Sequence, residues 1–258
     1  MPALTLAPMT RMLLKYLRAP AIAFALVTGL GGLGASALAG QGPVVVELFT
    51  SQGCNTCPPA DAYLGKLAKR KDIIALSFHV TYWDYLGWKD PFGSPKSTKR
   101  QRDYARQFKR GYVYTPQMVI DGQAEIVGSR TGQVDRAIAH AGARKDKIAV
   151  RLVKGADGKV RAMLPARAAD AQAEPATVWM ALIDRAHTTK IRRGENGGKA
   201  LTYTHVVRTL RKVGAWRGGE ASLELPVTET IPGRRDGCVV LVQSDKTGRI
   251  LGAALMPF

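Results

Sequence analysis

Residues 44–68, VVVELFTSQGCNTCPPADAYLGKLA, constrain the fold more than any other stretch of the chain. Val44 to Phe49 is an apolar run of strand length. A short loop, Thr50 to Gly53, separates it from Cys54-Asn55-Thr56-Cys57 and two prolines. Ala60, Tyr63, Leu64, Leu67 and Ala68 then recur at i, i+3, i+4, i+7 and i+8, which is one face of a helix. A Cys-x-x-Cys pair is therefore set where a strand hands over to a helix.

That position has chemical consequences. The first turn of a helix carries N–H groups without intrahelical partners and the positive end of the macrodipole. Both favour a thiolate. A cysteine there typically has its pKa lowered from about 8.5 into the range of roughly 3.5 to 7.5. Cys54, at the mouth of the turn, is expected to be exposed and to attack; Cys57, one turn deeper, is expected to resolve the mixed disulfide. Pro58 and Pro59 are tolerated because first-turn N–H groups have no partner to lose. An inert structural disulfide and half of a zinc site are the alternatives. The zinc reading needs a second Cys or His pair, and the only other cysteine is Cys238.

The chain has 258 residues, with 38 Lys and Arg against 20 Asp and Glu. Its first 39 residues read as a secretory signal peptide rather than structure. Arg11, Lys15 and Arg18 precede an apolar Gly/Ala-rich segment, and Ala37-Leu38-Ala39 offers a small-x-small cleavage site before Gly40. An uncleaved anchor is the alternative. No later stretch is long and apolar enough to span a bilayer as a helix. The mature chain is therefore expected to be periplasmic or secreted, where a disulfide persists. Removing the leader's three positive charges from +18 leaves +15. The basic residues are scattered, without an aromatic stacking platform, so a solvated basic surface is expected and a nucleic-acid partner is not.

Beyond the first helix, Ile73 to Val80 is a second apolar strand, and a strand–helix–strand unit implies parallel pairing. His79, near its end, reads first as a packed strand histidine and second as a proton carrier or metal ligand. Five aromatics fall between Tyr82 and Phe92 in a loop broken by Gly87 and Pro91. They are expected to form either a binding surface or a satellite core. Ser97 to Arg110 reads as a mostly solvent-facing basic helix with a narrow stripe of Gln101, Tyr104, Ala105 and Phe108. A strand opening at Pro116 is followed by Asp121-Gly122, a hairpin signal, so Ala124 to Val127 should pair with it antiparallel. Thr131 to Arg144 gives another helix.

This order of elements resembles the thioredoxin fold. The resemblance implies that Pro116 is the cis-proline beside the Cys-x-x-Cys turn, and that Thr115 contacts bound substrate. It makes Glu47, in the strand before the motif, the candidate proton acceptor, one residue further from the first cysteine than in thioredoxin itself. More closely, ELFTSQGCNTCPPAD, HVTYWDYLGWKDPF, RQRDYA, YTPQMVIDG and RRGENGGKALTYTHVVR are similar to the DUF1223 family of secreted bacterial thioredoxin-like proteins of unknown function. Asn-Thr between the cysteines, a second proline after them and the inserted aromatic loop depart from thioredoxin proper. The family name implies a fold and no substrate.

From Ile148 the texture changes to short apolar runs separated by turns: Ile148–Val153, Lys159–Leu164, Thr177–Ile183, Leu201–Arg208, Ala221–Leu225 and Cys238–Gln243. The expectation is an α/β thioredoxin-like domain over residues 40–146, followed by a smaller all-β sandwich-like domain over 147–258. The loop at 192–199 is too irregular to cradle a phosphate. Cys238 reads as a buried free thiol, with a link to the Cys54–Cys57 pair or to a partner as the alternative. The functional expectation is thiol–disulfide exchange with the protein thiols or disulfides of other exported proteins. Cys54, Cys57 and Glu47 would carry the chemistry, Thr115, Pro116 and Trp83 would bind substrate, and no cofactor is implied. Two rival classes remain. One is copper handling through both thiolates and His79; the other is a non-catalytic binding protein whose disulfide staples a loop.

Overall fold

The computed structural model describes residues 42–167, 174–227 and 235–258; the expected signal peptide lies outside them. Strand β1 (Val44–Thr50) is buried along its whole length because layers cover both its faces. It runs into helix α1 (Pro58–Leu67), which returns to β2 (Ile73–His79), parallel to β1. Helix α2 (Pro95–Gln107) starts at Ser94, whose hydroxyl accepts from the Lys96 N–H at 3.2 Å. The hairpin β3 (Gln117–Ile120) and β4 (Ala124–Val127) turns at Asp121 and Gly122, both at positive φ, as the Asp-Gly signal requires. Helix α3 (Thr131–Gly142) closes this half.

The second half contains β5 (Arg151–Lys154), β6 (Val160–Leu164), β7 (Ala176–Lys190), β8 (Ala200–Trp216), β9 (Ala221–Leu225), β10 (Gly237–Ser244) and β11 (Ile250–Pro257). It does not make a separate sandwich. Eight strands form one mixed sheet in the order β11-β10-β7-β8-β2-β1-β3-β4, with β8 lying parallel to β2. Only β5, β6 and β9 form a second, three-stranded sheet. The expectation of a thioredoxin-like domain followed by a small all-β sandwich is therefore overturned. Strands from both halves share one sheet.

The reason is physical. Each apolar run of the second half has strand length, and nothing local says which edge it pairs with. The join between the halves rests on Ser77 opposite Val206, and on the His205 ring, whose Nδ1 meets the Ala75 carbonyl at 3.0 Å. His205 sits at φ 47°, an uncommon left-handed conformation for a side-chain-bearing residue. Strands β7 and β8 also run far beyond their apolar segments. There polar pairs such as Thr188 and Thr202, whose hydroxyls are 2.8 Å apart, keep them aligned.

The sheet is strongly curved. The Ile250 N–H of β11 donates to the Asp121 carbonyl at 2.8 Å, so the far edge returns to the β3–β4 turn. A Cβ on Gly122 would come within 2.1 Å of the Gly248 carbonyl oxygen, so this approach needs glycine. Inside the curve, Val45, Phe49, Phe78, Tyr104 of α2, Val207, Leu241 and Ile250 pack as one cluster drawn from both halves. On the other face, α1 and α3 cover β1, β2 and β3 with Ala60, Leu64, Val134 and Ile138. The small sheet covers β7, β10 and β11, packing Ala162 and Leu164 on Met180, Cys238 and Val240.

Candidate functional site

Cys54 and Cys57 form a disulfide with Cα atoms 5.4 Å apart. Cys57 is the N-cap residue of α1, and the Ala60 and Asp61 N–H groups donate to its carbonyl at 2.9 and 3.1 Å. Pro58 and Pro59 occupy the first turn, where no donor is lost. Both cysteines are buried, Cys54 at 1 % exposure and Cys57 at 0 %, while Asn55 and Thr56 face solvent. The expected exposed Cys54 is thus covered, and its cover comes from two loops.

The aromatic loop supplies one side. Gly53 lies so tightly against Trp83 that a Cβ there would sit 3.0 Å from the Trp83 Cβ. The Trp83 indole N–H donates to the Thr115 hydroxyl at 2.8 Å, so Trp83 bridges the cysteine loop and the cis Thr115–Pro116 segment. Three of the expected site residues, Trp83, Thr115 and Pro116, therefore lie along one edge of this loop. The Trp88 indole donates to the Gln52 side chain at 2.8 Å. Within the aromatic loop, Tyr82 and Trp83 pack on the core, as a satellite core requires, while Tyr85 is 78 % exposed. The loop between β7 and β8 supplies the other side. Asn196, fully buried, donates to the Gln52 and Cys54 carbonyls, both at 2.9 Å, and accepts from Lys199.

Behind the disulfide, alternation along the strands turns Thr50, Ser77 and His79 toward α1, opposite to Phe49 and Phe78. His79 is fully buried. Its Nδ1 meets the Asp90 carboxylate at 2.7 Å, and its ring lies edge-on to Phe92 and Tyr203. Asp90 also accepts from the Gln52 and Phe92 N–H groups. Burial alone would raise its carboxyl, but the His79 charge and these hydrogen bonds outweigh burial and hold it below the usual range. Asp61 of α1 is different. Burial pushes its carboxyl up to about 7, against opposition from His79 and then from the Thr50 hydroxyl.

Glu47 lies elsewhere. It points into the curve of the sheet, where the Arg100 guanidinium of α2 grips it at 2.5 and 3.0 Å and Tyr104 donates to it. The α2 stripe therefore includes a buried arginine that the sequence reading placed in solvent. Cys238 is free and buried in the core between β10 and the small sheet. Among the described residues no group of three or more His, Cys, Asp or Glu is arranged to hold a metal ion, and no helix is long and apolar enough to cross a membrane.

Sequence reasoning missed Asp61, Asp90, Asn196 and Tyr203. Asp61 was within reach, since it follows Cys57 by four residues and so shares its helical face. Asn196 carried no local signal.

A curved mixed sheet with a buried disulfide at a helix start defines this protein as an α/β disulfide protein. The chain belongs to the DUF1223 family, described as proteins of unknown function, which matches residues 45–243. Protein AGR_C_4864 from Agrobacterium tumefaciens is 35 % identical, with a TM-score of 0.70 over 84 % of this chain and 94 % of that one. HBP35 of Porphyromonas gingivalis is similar in fold, at 14 % identity and a TM-score of 0.51, over 84 % of this chain and 75 % of that one. No curated protein matches.

Proposed function

We propose that this is an exported thiol–disulfide exchange protein acting on the thiols or disulfides of other exported proteins. One observation carries the reading. Cys57 is at once a disulfide partner and the residue that opens α1, so a thiolate released there is stabilised by the helix N-terminus. A persistent disulfide fits an oxidising compartment, and residues 1–39 fit a cleaved export signal.

The chemistry is a pair of displacements. A partner thiolate attacks Cys54 Sγ, the Cys54–Cys57 bond breaks, and Cys57 leaves as thiolate. A second partner thiolate then attacks the mixed disulfide and releases Cys54. The partner dithiol is oxidised and this protein is reduced; the reverse sequence oxidises it. Trp83, Thr115 and Pro116 form the edge along which a partner chain would lie. Since Cys54 is covered, the loop carrying Asn196 must shift before attack.

Burial of both sulfurs favours a second reading, a non-catalytic protein in which the disulfide staples the loop. A glutathione redox titration with thiol trapping separates the two. A potential of about −120 to −230 mV supports exchange, and one below about −300 mV supports a structural staple. A Cys54→Ser variant that kept full exchange activity would sink the first reading.

A further inference from the structure

The exchange reading leaves one chemical need unmet. Cys57, released as a thiolate, takes up a proton to rest as a thiol and must surrender it when the disulfide closes, yet it is fully buried. Solvent cannot serve it directly.

The wall against which α1 packs is unusual. Asp61, four residues on from Cys57 and on the same helical face, is buried, and neither of its carboxylate oxygens makes a hydrogen bond of normal geometry among the described residues, although the Thr50 hydroxyl lies near enough to act on it. Across from α1 stand Thr50 at the end of β1, Ser77 and His79 on β2, and Tyr203 on β8. Thr50 Oγ1, Ser77 Oγ, His79 Nε2 and Tyr203 Oη are likewise buried without a partner among the described residues. Three of these residues belong together around Asp61. The His79 charge and the Thr50 hydroxyl both act on its carboxyl, and Asp61 acts on the Tyr203 phenol. The His79 and Tyr203 rings are 4.8 Å apart.

Leaving a buried polar group unsatisfied costs about 1–3 kcal/mol, and more for a charge. Among the described residues the other buried acids have partners. Glu47 has Arg100 and Tyr104, Asp90 has His79 and two backbone N–H groups, and Asp121 has Lys147 and the Val45 N–H. Asp61 alone among these acids is left open, within a cluster of buried polar groups that also lack partners among the described residues. The imidazole beside it is oriented. Asp90 holds Nδ1, which leaves Nε2 without a partner among the described residues.

We propose that Asp61 is the proton-transfer group for Cys57, working directly or through one water, with His79 as the positioning residue that stabilises its carboxylate. The proposal rests on the exchange reading of the same disulfide. On opening, a partner thiolate bonds to Cys54 Sγ, the electron pair of the Cys54–Cys57 bond goes to Cys57 Sγ, and the Asp61 carboxyl gives that sulfur its proton. On closing, the Asp61 carboxylate takes the Cys57 S–H proton, Cys57 Sγ attacks Cys54 in the mixed disulfide, and the partner leaves as thiolate.

A group that must both give and take a proton serves best when its pKa lies near the working pH. Burial places Asp61 there, at about 7. Its charged and titratable neighbours are His79 on β2, Asp90 in the aromatic loop and Tyr203 on β8; the first lowers its pKa and Asp90 raises it.

The test is the pH dependence of disulfide opening. Oxidised mature protein is mixed with dithiothreitol from pH 5 to 9, and formation of the Cys57 thiol is followed by rapid trapping. In the wild type, after correction for dithiothreitol ionisation, the rate carries an inflection near pH 7. Asp61→Asn, which keeps the side-chain shape, loses the inflection and slows opening by on the order of a hundredfold. His79→Gln keeps the inflection but moves it to higher pH, a shift that a purely structural role would not produce. An Asp61→Asn variant with the wild-type profile overturns the proposal and leaves the exchange reading intact. A wild type that opens no faster than an unstructured disulfide peptide overturns the exchange reading, and the proposal with it. Should Asp61→Asn not fold, the direction of the His79→Gln shift decides.

Discussion

Asn196 and Cys54, 142 residues apart in sequence, meet at 2.9 Å, the Asn196 side-chain amide donating to the Cys54 carbonyl. The same amide donates to the Gln52 carbonyl. A residue in the β7–β8 loop thus fastens the loop that carries Cys54.

Asn196→Ala removes both donations, leaving the buried Gln52 carbonyl unserved and the Cys54 carbonyl with only the Cys57 N–H. Stability should fall by about 1–3 kcal/mol. If the contact holds the cover closed, losing about 1.4 kcal/mol of it speeds reduction of the disulfide by a small thiol roughly tenfold. Thiol trapping against time measures this. An unchanged rate alongside a lowered stability would show that Asn196 does not guard the disulfide.

Arg100 and Glu47 form a buried bidentate pair inside the curve of the sheet. Glu47→Gln or Arg100→Met each strands a charged partner, and each should cost about 3–5 kcal/mol in urea unfolding. The double replacement Glu47→Leu with Arg100→Met should recover most of the loss, because two apolar side chains replace two desolvated charges. Additive losses in the double variant would contradict this account.

The raised Asp61 carboxyl makes stability depend on pH. The folded state holds its proton up to about pH 7, whereas the unfolded chain releases it near 3.8. Between those values the native state binds more protons, so stability falls as pH rises. A shift of about three units corresponds to on the order of 4 kcal/mol lost by pH 8 relative to pH 4. Asp61→Asn should remove that component and be more stable than wild type at pH 8, but not at pH 4. Chemical denaturation at the two pH values tests this, and parallel curves for the two proteins would refute it.

Cys238 packs among Met180, Leu182, Val240 and Val242, and burial pushes its thiol up to about 12. Native protein should therefore leave it unmodified by iodoacetamide at pH 8, with labelling only on unfolding. Peptide mapping after timed labelling reads this directly. Rapid native labelling would mean that the core between β10 and the small sheet opens readily.

The sequence by itself determined the features whose causes lie within a few residues. The apolar run, the prolines after Cys57 and the period of Ala60, Leu64 and Leu67 dictate strand, turn and helix around Cys54. Asp121-Gly122 dictates the hairpin through its positive-φ turn. The buried, free state of Cys238 followed from the apolar run that contains it. Tertiary structure alone decided the rest. Placing β8 beside β2 depends on a pairing between residues 77 and 206, which has no local signature. The burial of Cys54 depends on Trp83 and Asn196, which arrive from distant loops. Glu47 and Asp61 are both carboxylates near the motif in sequence. The α2 arginine claims the first, and nothing on the page of residues foretold that. The second is buried without such a partner, with His79 acting on it, because a side chain's chemistry is set by what the fold brings against it.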